Sequence, residues 1–303
     1  MNETEYIWYN GKMVAWKEAM THVLTHTLHY GSGVFEGVRC YDTPKGPAIF
    51  RLKDHNQRLF ESAKIISLAI PYSEKELFEA TKEIVRKNKL KECYIRPIAF
   101  YGYGKMGLDT KGAIVDAVVA AWPWGAYLGE EGIKNGIRAK ISSYSRHHPN
   151  SMMIHAKITG AYANSTMAKM ESLKAGYEEA LMMDYQGFVA ECSGENLFIV
   201  KNGEVLTPPL SSCLAGITRD SVIQILKSKN VSVREAQLTR DMIYAADECF
   251  VTGTAAEITP IREVDDRTIG SGKPGEVTKM VQEIYQNIIH GKDKKFEKWL
   301  DYV

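Results

Sequence analysis

Lys157 has the setting of a nucleophilic amine. It ends the run Met152-Met153-Ile154-His155-Ala156 and stands before Ile158-Thr159-Gly160, whereas most lysines in this chain have charged neighbours. Desolvation favours the neutral amine, the form that condenses with a carbonyl to give a Schiff base. A snorkelling lysine could have the same neighbours and do no chemistry. Glu191 follows Gly187-Phe188-Val189-Ala190 and precedes Ser193-Gly194. Once buried, its carboxylate needs a cationic or donor partner, and a protonated pyridine nitrogen is one such partner. An exposed hairpin glutamate is the plainer use of the same residue. Gly216-Ile217-Thr218 precedes the amphipathic run Val222, Ile223, Ile225, Leu226. That is the pattern of a helix start, where backbone N–H groups and the dipole favour a phosphate, and also the pattern of an ordinary N-cap. Gly253-Thr254-Ala255-Ala256, at the end of an expected strand, offers backbone N–H groups in a similar way. A Schiff-base amine, two phosphate-friendly turns and a carboxylate for a ring nitrogen together point to pyridoxal phosphate.

The elements that must position these residues are legible in outline. Tyr6 to Tyr9, Asn10-Gly11 and Lys12 to Val14 read as a hairpin with a type I′ turn. Strands are expected over Val34 to Tyr41 and Ala48 to Leu52, with a helix from about Asp54 to Leu68. A second helix opens at Ser73 through the capping box Ser73-x-x-Glu76. Tyr94 to Tyr101 and Ile114 to Trp122 are further strands. Residues 1–123 are thus expected to form a smaller N-terminal α/β domain, 124–136 an interdomain loop, and 137–303 a larger C-terminal domain with a strand-rich core and flanking helices. In that second part, helices are expected near Gly160 to Ala175, Thr218 to Lys229 and Thr239 to Ala246. Strands are expected near Ala180 to Asp184, Leu197 to Val200, Val231 to Glu235 and Cys249 to Thr252, with Asn202-Gly203 a second hairpin turn. The fold class is α+β with two domains.

Bulk properties narrow the partners. The 303 residues carry a net charge of +1, which offers no general field for nucleic acid or acidic lipid. Five cysteines, scattered and without a CxxC pair, suit reduced thiols rather than disulfides or zinc. Met1 to Asn10 lacks the apolar run of a signal peptide, and no apolar stretch is long enough to span a bilayer, so a cytoplasmic location is expected. His22, His26 and His29 have metal-like spacing but no acidic or Cys group completes a set, and no metal is expected. Gly31-x-Gly33-x-x-x-Gly37 misses the dinucleotide fingerprint by one residue.

In combination these segments resemble the class IV (fold type IV) pyridoxal-phosphate aminotransferases, and within them the branched-chain amino acid aminotransferases. The likeness runs from about Trp8 to beyond Pro260. It is carried most specifically by Tyr30-Gly31-Ser32-Gly33-Val34-Phe35-Glu36-Gly37-Val38-Arg39 and Trp122-Pro123-Trp124-Gly125-Ala126-Tyr127-Leu128-Gly129, with the Glu191, Gly216 and Gly253 stretches. The resemblance implies that Lys157 is the Schiff-base lysine, that Tyr162 hydrogen-bonds the cofactor's phenolic oxygen and that Glu191 keeps its ring nitrogen protonated. It implies a phosphate site of Arg58, Gly216, Ile217, Thr218, Gly253 and Thr254. Substrate would meet Phe35, Gly37, Tyr127, Tyr162 and Trp124 around an apolar side chain. Tyr94 and the Thr254–Ala255 amides would take the α-carboxylate, and Arg96 the distal carboxylate of glutamate. Tyr30 and Leu108 would lie across a subunit interface, which makes the protein a homodimer at minimum, with a hexamer open. The implied reaction is transamination between Leu, Ile or Val and 2-oxoglutarate. Met152-Met153 and Ile158-Thr159-Gly160-Ala161 depart from the common pattern around the lysine, which leaves the side-chain range open. D-amino acid aminotransferases, (R)-amine transaminases and aminodeoxychorismate lyases would share Lys157 and Glu191.

Overall fold

In this computed structural model, residues 2–125 and 127–303 are described; Met1 and Ala126, the latter inside the Trp122-to-Gly129 motif, lie outside the described residues. The expected hairpin is present: β1 (Tyr6–Tyr9) pairs antiparallel with β2 (Lys12–Ala15). Asn10 and Gly11 take φ of +46° and +82°, as a type I′ turn requires. The chain divides into two compact units. The first comprises Met1–Trp124, Ala156–Tyr162 and Ile288–Val303, and the second Gly125–His155 and Ala163–Asn287.

The first unit is built on one sheet with β3 (Gly33–Phe35), β4 (Val38–Tyr41), β5 (Ala48–Phe50), β6 (Cys93–Tyr101) and β7 (Val115–Trp122). The C-terminal strand Leu300–Tyr302 pairs with β5, and the order continues β4, β6, β7, β1, β2, with β3 also on β6. The strand expected over Val34 to Tyr41 is interrupted at Glu36-Gly37. A Cβ on Gly37 would collide with the Tyr94 hydroxyl, and the Glu36 N–H donates to Pro97 O at 2.8 Å. After the short α1 (His26–Tyr30), α2 (Leu52–Ile65) and α3 (Glu74–Lys87) supply the helical layer. Leu59, Ala63, Leu77, Ala80, Ile84 and Val85 recur at helical spacing and bury against Val34, Val38, Ile49, Ile95 and Val119. The predicted capping box forms at Ser73 and Glu76. His26, read as a metal candidate and rejected, is buried with its ring nitrogens on Ser32 Oγ (2.6 Å) and Gly107 O (2.8 Å).

The second unit has its own sheet of β8 (Ile137–Ile141), β9 (Glu179–Met183), β10 (Val189–Cys192), β11 (Asn196–Lys201), β12 (Glu204–Thr207), β13 (Val233–Glu235), β14 (Glu248–Gly253), β15 (Glu257–Val264) and β16 (Arg267–Thr268). The order is β10-β9-β8-β15-β14-β11-β12-β13, with β16 on β15. Helices α4 (Glu130–Asn135), α5 (Tyr162–Lys174), α6 (Ile217–Ser228), α7 (Arg240–Tyr244) and α8 (Glu276–Ile289) accompany it. Leu197 and Ile199 join one buried cluster while Phe198 stacks on Phe250 at 5.1 Å, so β11 is buried on both faces.

Two expectations need correction. Residues 124–136 are not loop throughout, because Glu130–Asn135 closes a helix between Gly129 (φ +78°) and Gly136 (φ +86°). Residues 137–303 are not one continuous domain. Leu300–Tyr302 adds a strand to the first sheet, and Ala156–Tyr162, including Lys157 and Tyr162, belongs to the first unit. Backbone pairing with β3 and α2, invisible in local sequence, decides that membership.

Candidate active site

Lys157 is held from both sides of its peptide unit. Its N–H donates to Ser62 Oγ on α2 (3.0 Å), and its carbonyl accepts from Phe35 N–H on β3 (3.1 Å). Ile158 bridges Val34, and Gly160 N–H reaches Gly31 O at 3.0 Å. Gly31, at φ +62°, approaches Gly160 so closely that a Cβ on it would collide with the Gly160 backbone, so a glycine is needed there. The 3-10 turn Thr159–Ala161 then brings Tyr162 back towards the lysine, and Lys157 Nζ donates to Tyr162 Oη at 2.5 Å. Phe35 lies beside both, 4.6 Å from the ammonium nitrogen and 4.8 Å from the Tyr162 ring.

Next to this pair lies a buried ionic triad that sequence reading did not single out. Glu36 is fully buried, and its oxygens accept from Arg58 Nε (2.6 Å) and Nη2 (2.9 Å). Its Oε2 also lies 2.7 Å from His55 Nδ1. Burial works to raise the Glu36 carboxyl, but Arg58 and His55 outweigh it and hold it well below the usual carboxylate range. Burial lowers the His55 imidazole, with Arg58 and Lys157 acting the same way against Glu36. The clue was the three-residue spacing of His55 and Arg58, which puts both on one face of α2.

The same unit carries the expected substrate groups on β6. Tyr94 and Arg96 share a face, and Arg96 Nη2 donates to Tyr94 Oη at 2.8 Å. The Arg96 guanidinium lies 4.7 Å from the Phe35 ring, and its buried Nε has no hydrogen-bond partner. Trp124 meets Tyr94 edge-on at 4.7 Å. Gly37 is required beside the Tyr94 hydroxyl for the steric reason given above. Tyr30 and Leu108 are 42% and 86% exposed, among Met20, Val23, Leu24, Leu28, Met106 and Ile114.

In the second unit Glu191 sits on β10 at a register irregularity opposite Met182. Its Oε2 accepts from Leu214 N–H (3.1 Å) and the Asn196 amide (3.4 Å). Arg146 Nη2 stands 2.7 Å from Oε1, though without hydrogen-bond alignment, so that oxygen has no such bond. Arg146 is itself tied to Ser165 Oγ at 2.9 Å. Gly216 is the N-cap of α6, and a Cβ there would collide with the Asn196 amide oxygen. Ile217 and Thr218 open that helix and are buried. Gly253 closes β14, and Thr254 and Ala255 form the turn into β15.

A second buried ionic group stands beside Glu191. Glu179 accepts from Lys169, Ser193 and the Ala180 N–H, while Glu195 accepts from Gly194 N–H at 3.3 Å. Burial, then the Glu179 charge, raises Glu195 to about 8, with Lys169 opposing. Folded protein therefore holds more protons here than unfolded protein across that window, and this contribution to stability declines as pH rises from the ordinary value of 4.5 towards 8. Glu195→Gln is expected to lose less urea resistance than the parent between about pH 5 and 8; equal slopes would refute the assignment.

Among the described residues no group of three or more His, Cys, Asp or Glu side chains is arranged to hold a metal ion, and no helix is long and apolar enough to cross a membrane. The family profile for amino-transferase class IV matches residues 33–264. A branched-chain-amino-acid aminotransferase of Pseudomonas aeruginosa is 52% identical over 97% of this chain and 95% of its own. The chain belongs to the class IV aminotransferases. The crystal structure of the Escherichia coli branched-chain amino acid aminotransferase superposes on this class IV aminotransferase with a TM-score of 0.97, at 46% identity and 99% coverage of each chain. A T.th. branched-chain amino acid aminotransferase complexed with N-(5′-phosphopyridoxyl)-L-glutamate gives 0.96, at 47% identity, covering 100% of this chain and 99% of that one. The α+β, two-domain fold is that of class IV aminotransferases.

Proposed function

We propose that this chain is a pyridoxal-phosphate-dependent branched-chain amino acid aminotransferase. It moves the amino group of Leu, Ile or Val to 2-oxoglutarate, giving branched 2-oxo acids and L-glutamate, in a reversible reaction. The observation that carries the reading is the Lys157 amine held by Tyr162 beside Phe35, in a chain of this family. The residues fit the cofactor. Glu191 is a buried carboxylate whose Oε1 makes no aligned hydrogen bond and has only the ionic contact with Arg146, which suits it to a protonated ring nitrogen. The start of α6 at Gly216, Ile217 and Thr218 presents the N-terminal end of a helix, which suits a phosphate.

Each side chain then has a task. Pyridoxal phosphate supplies an electron sink for the negative charge that develops at Cα when the amino acid loses a proton. Lys157 would hold the cofactor through its side-chain amine, and its Nζ would take the Cα proton of the amino donor as a base and then donate it as an acid. Tyr162 orients the lysine and would hydrogen-bond the cofactor's phenolic oxygen. Arg58 contributes positive charge to the phosphate site with Gly216, Ile217, Thr218, Gly253 and Thr254, while Glu36 and His55 fix its guanidinium in place. Phe35, Gly37, Trp124, Tyr127 and Tyr162 shape the space for an apolar side chain. Tyr94 and the Thr254–Ala255 amides take the α-carboxylate. Arg96, with its buried Nε lacking a hydrogen-bond partner, takes the distal carboxylate of glutamate.

The exposed apolar residues from Met20 to Tyr30 and from Tyr103 to Ile114 favour a homodimer, with Tyr30 and Leu108 contributed across its interface. A sedimentation mass of one chain would overturn that. The five unpaired, buried cysteines suit a cytoplasmic location. Purified protein loaded with pyridoxal phosphate is expected to transaminate L-Leu, L-Ile and L-Val with 2-oxoglutarate and to leave D-Ala and (R)-1-phenylethylamine untouched. Preference for either of the last two donors would sink the proposal in favour of another class IV activity.

A further inference from the structure

Glu257 stands where a glycine would be expected. It ends the connection from β14 to β15, after Thr254, Ala255 and Ala256, and has a φ of +52°. That left-handed region strains most side chains and is entered readily by Gly and, less often, Asn. Asn10 and Asn202 use it as expected, each at an Asn-Gly turn. Glu257 is instead a buried carboxylate, 7% exposed, which is unfavourable in its own right. Two unfavourable features at one position mark a residue that does something for its neighbours.

Its side chain is pinned by α8. Gln286 Nε2 donates to Glu257 Oε2 at 2.8 Å. One helical turn earlier, Gln282 Nε2 donates to Ile258 O and to Ile133 O, both at 2.9 Å. Two glutamines on one face of α8 thus hold the first two residues of β15. Thr259 Oγ1 adds a bond to Ala256 O at 2.7 Å, and Gly253 pairs with Glu257 across the ladder. Only Thr254, Ala255 and Ala256 lie between that pair. In so short a connection, the backbone angle at Glu257 sets where the preceding N–H groups point.

We propose that Glu257 and Gln286 are positioning residues for the substrate α-carboxylate: Gln286 holds Glu257 in its left-handed conformation, and Glu257 thereby aims the Thr254 and Ala255 N–H groups. The inference rests on the transamination reading, in which those amides take the α-carboxylate. Every amino-acid donor carries that group, so the pair serves L-Leu and L-Glu alike, whatever the side chain. An amine without a carboxylate gains nothing from it.

The test uses holoenzyme, with binding and single turnovers followed by cofactor absorbance and urea midpoints recorded alongside. The probes are 3-methylbutanoate, an unreactive branched acid, and 3-methylbutan-1-amine, which is leucine without its carboxylate. Gln286→Met keeps the side-chain length and removes the donor. It is expected to weaken 3-methylbutanoate, and to raise the half-saturating concentrations of L-Leu and L-Glu, about fivefold or more. Limiting rates and affinity for the amine should stay within about twofold of the parent. Glu257→Gln, whose amide oxygen can still accept from Gln286, should keep most of the affinity for the acid. Glu257→Gly suits the left-handed backbone but removes the pin, and should lose acid affinity as Gln286→Met does. Parent-like affinity for 3-methylbutanoate in either Gln286→Met or Glu257→Gly would overturn the proposal, as would equal weakening of acid and amine. Should Gln286→Met not fold, Glu257→Gly decides with the same two probes. Parent enzyme inert towards L-Leu would refute the transamination reading itself, a failure seen before any variant is made.

Discussion

Lys157→Ala is expected to reduce transamination of L-Leu by about four orders of magnitude or more, since it removes both the covalent attachment point and the acid–base group. Its neighbours Tyr162 and His55 cannot substitute. Tyr162 Oη, which accepts from the lysine at 2.5 Å, is a phenol, and the buried His55 is engaged with Glu36. The fold should survive, because the bonds that fix this segment to Ser62 and Phe35 come from its backbone. Urea midpoints of parent and variant should therefore stay close, and the visible absorbance of lysine-bound cofactor should disappear. A small primary amine added to Lys157→Ala should restore part of the rate, since the missing component is a base of that kind. Unchanged turnover, or an unchanged absorbance band, would remove Lys157 from its assigned place.

The largest effect on stability is expected at Glu36. Glu36→Gln leaves Arg58 buried without its carboxylate and should cost about 3–5 kcal/mol in urea unfolding at neutral pH. The pH dependence follows from the direction of the shift. The folded carboxyl is held well below its ordinary value of 4.5, after Arg58 and His55 overcome burial, so folded protein binds fewer protons than unfolded protein in that range. The stabilisation is present above about pH 4.5 and is lost as pH falls towards the folded value. The gap between parent and Glu36→Gln should thus be widest near neutrality and close on acidification. A variant as stable as its parent at pH 7 would show that the triad is not held together by charge. Cofactor phosphate affinity should fall too, because Glu36 is what aims Arg58.

Much of this site was legible in the sequence, and the parts that were not share a cause. Lys157, Glu191 and the start of α6 carry local signatures: an apolar setting for an amine, a carboxylate between small residues, and Gly-Ile-Thr ahead of an amphipathic run. Glu36 belongs to the Tyr30-to-Arg39 motif and Arg58 to the phosphate site that the resemblance implies, yet nothing local says that they form a bidentate pair, since they are 22 residues apart and meet only when β3 packs on α2. Lys169 lies on α5 and its partner Glu179 on β9, so no helical spacing links the two.

The sequence by itself determined the turns, caps and strand alternation, and its motifs carried the resemblance to class IV aminotransferases from which the family and the cofactor followed. These depend on the conformational preferences and chemistry of adjacent residues. Only the tertiary structure decided that Lys157 and the C-terminal strand belong with the first sheet, that Arg58 is aimed by Glu36, and that one ammonium serves two buried carboxylates. Each of those outcomes depends on pairing or burial between distant segments, where desolvation sets the energies and where local sequence carries no record of the partner.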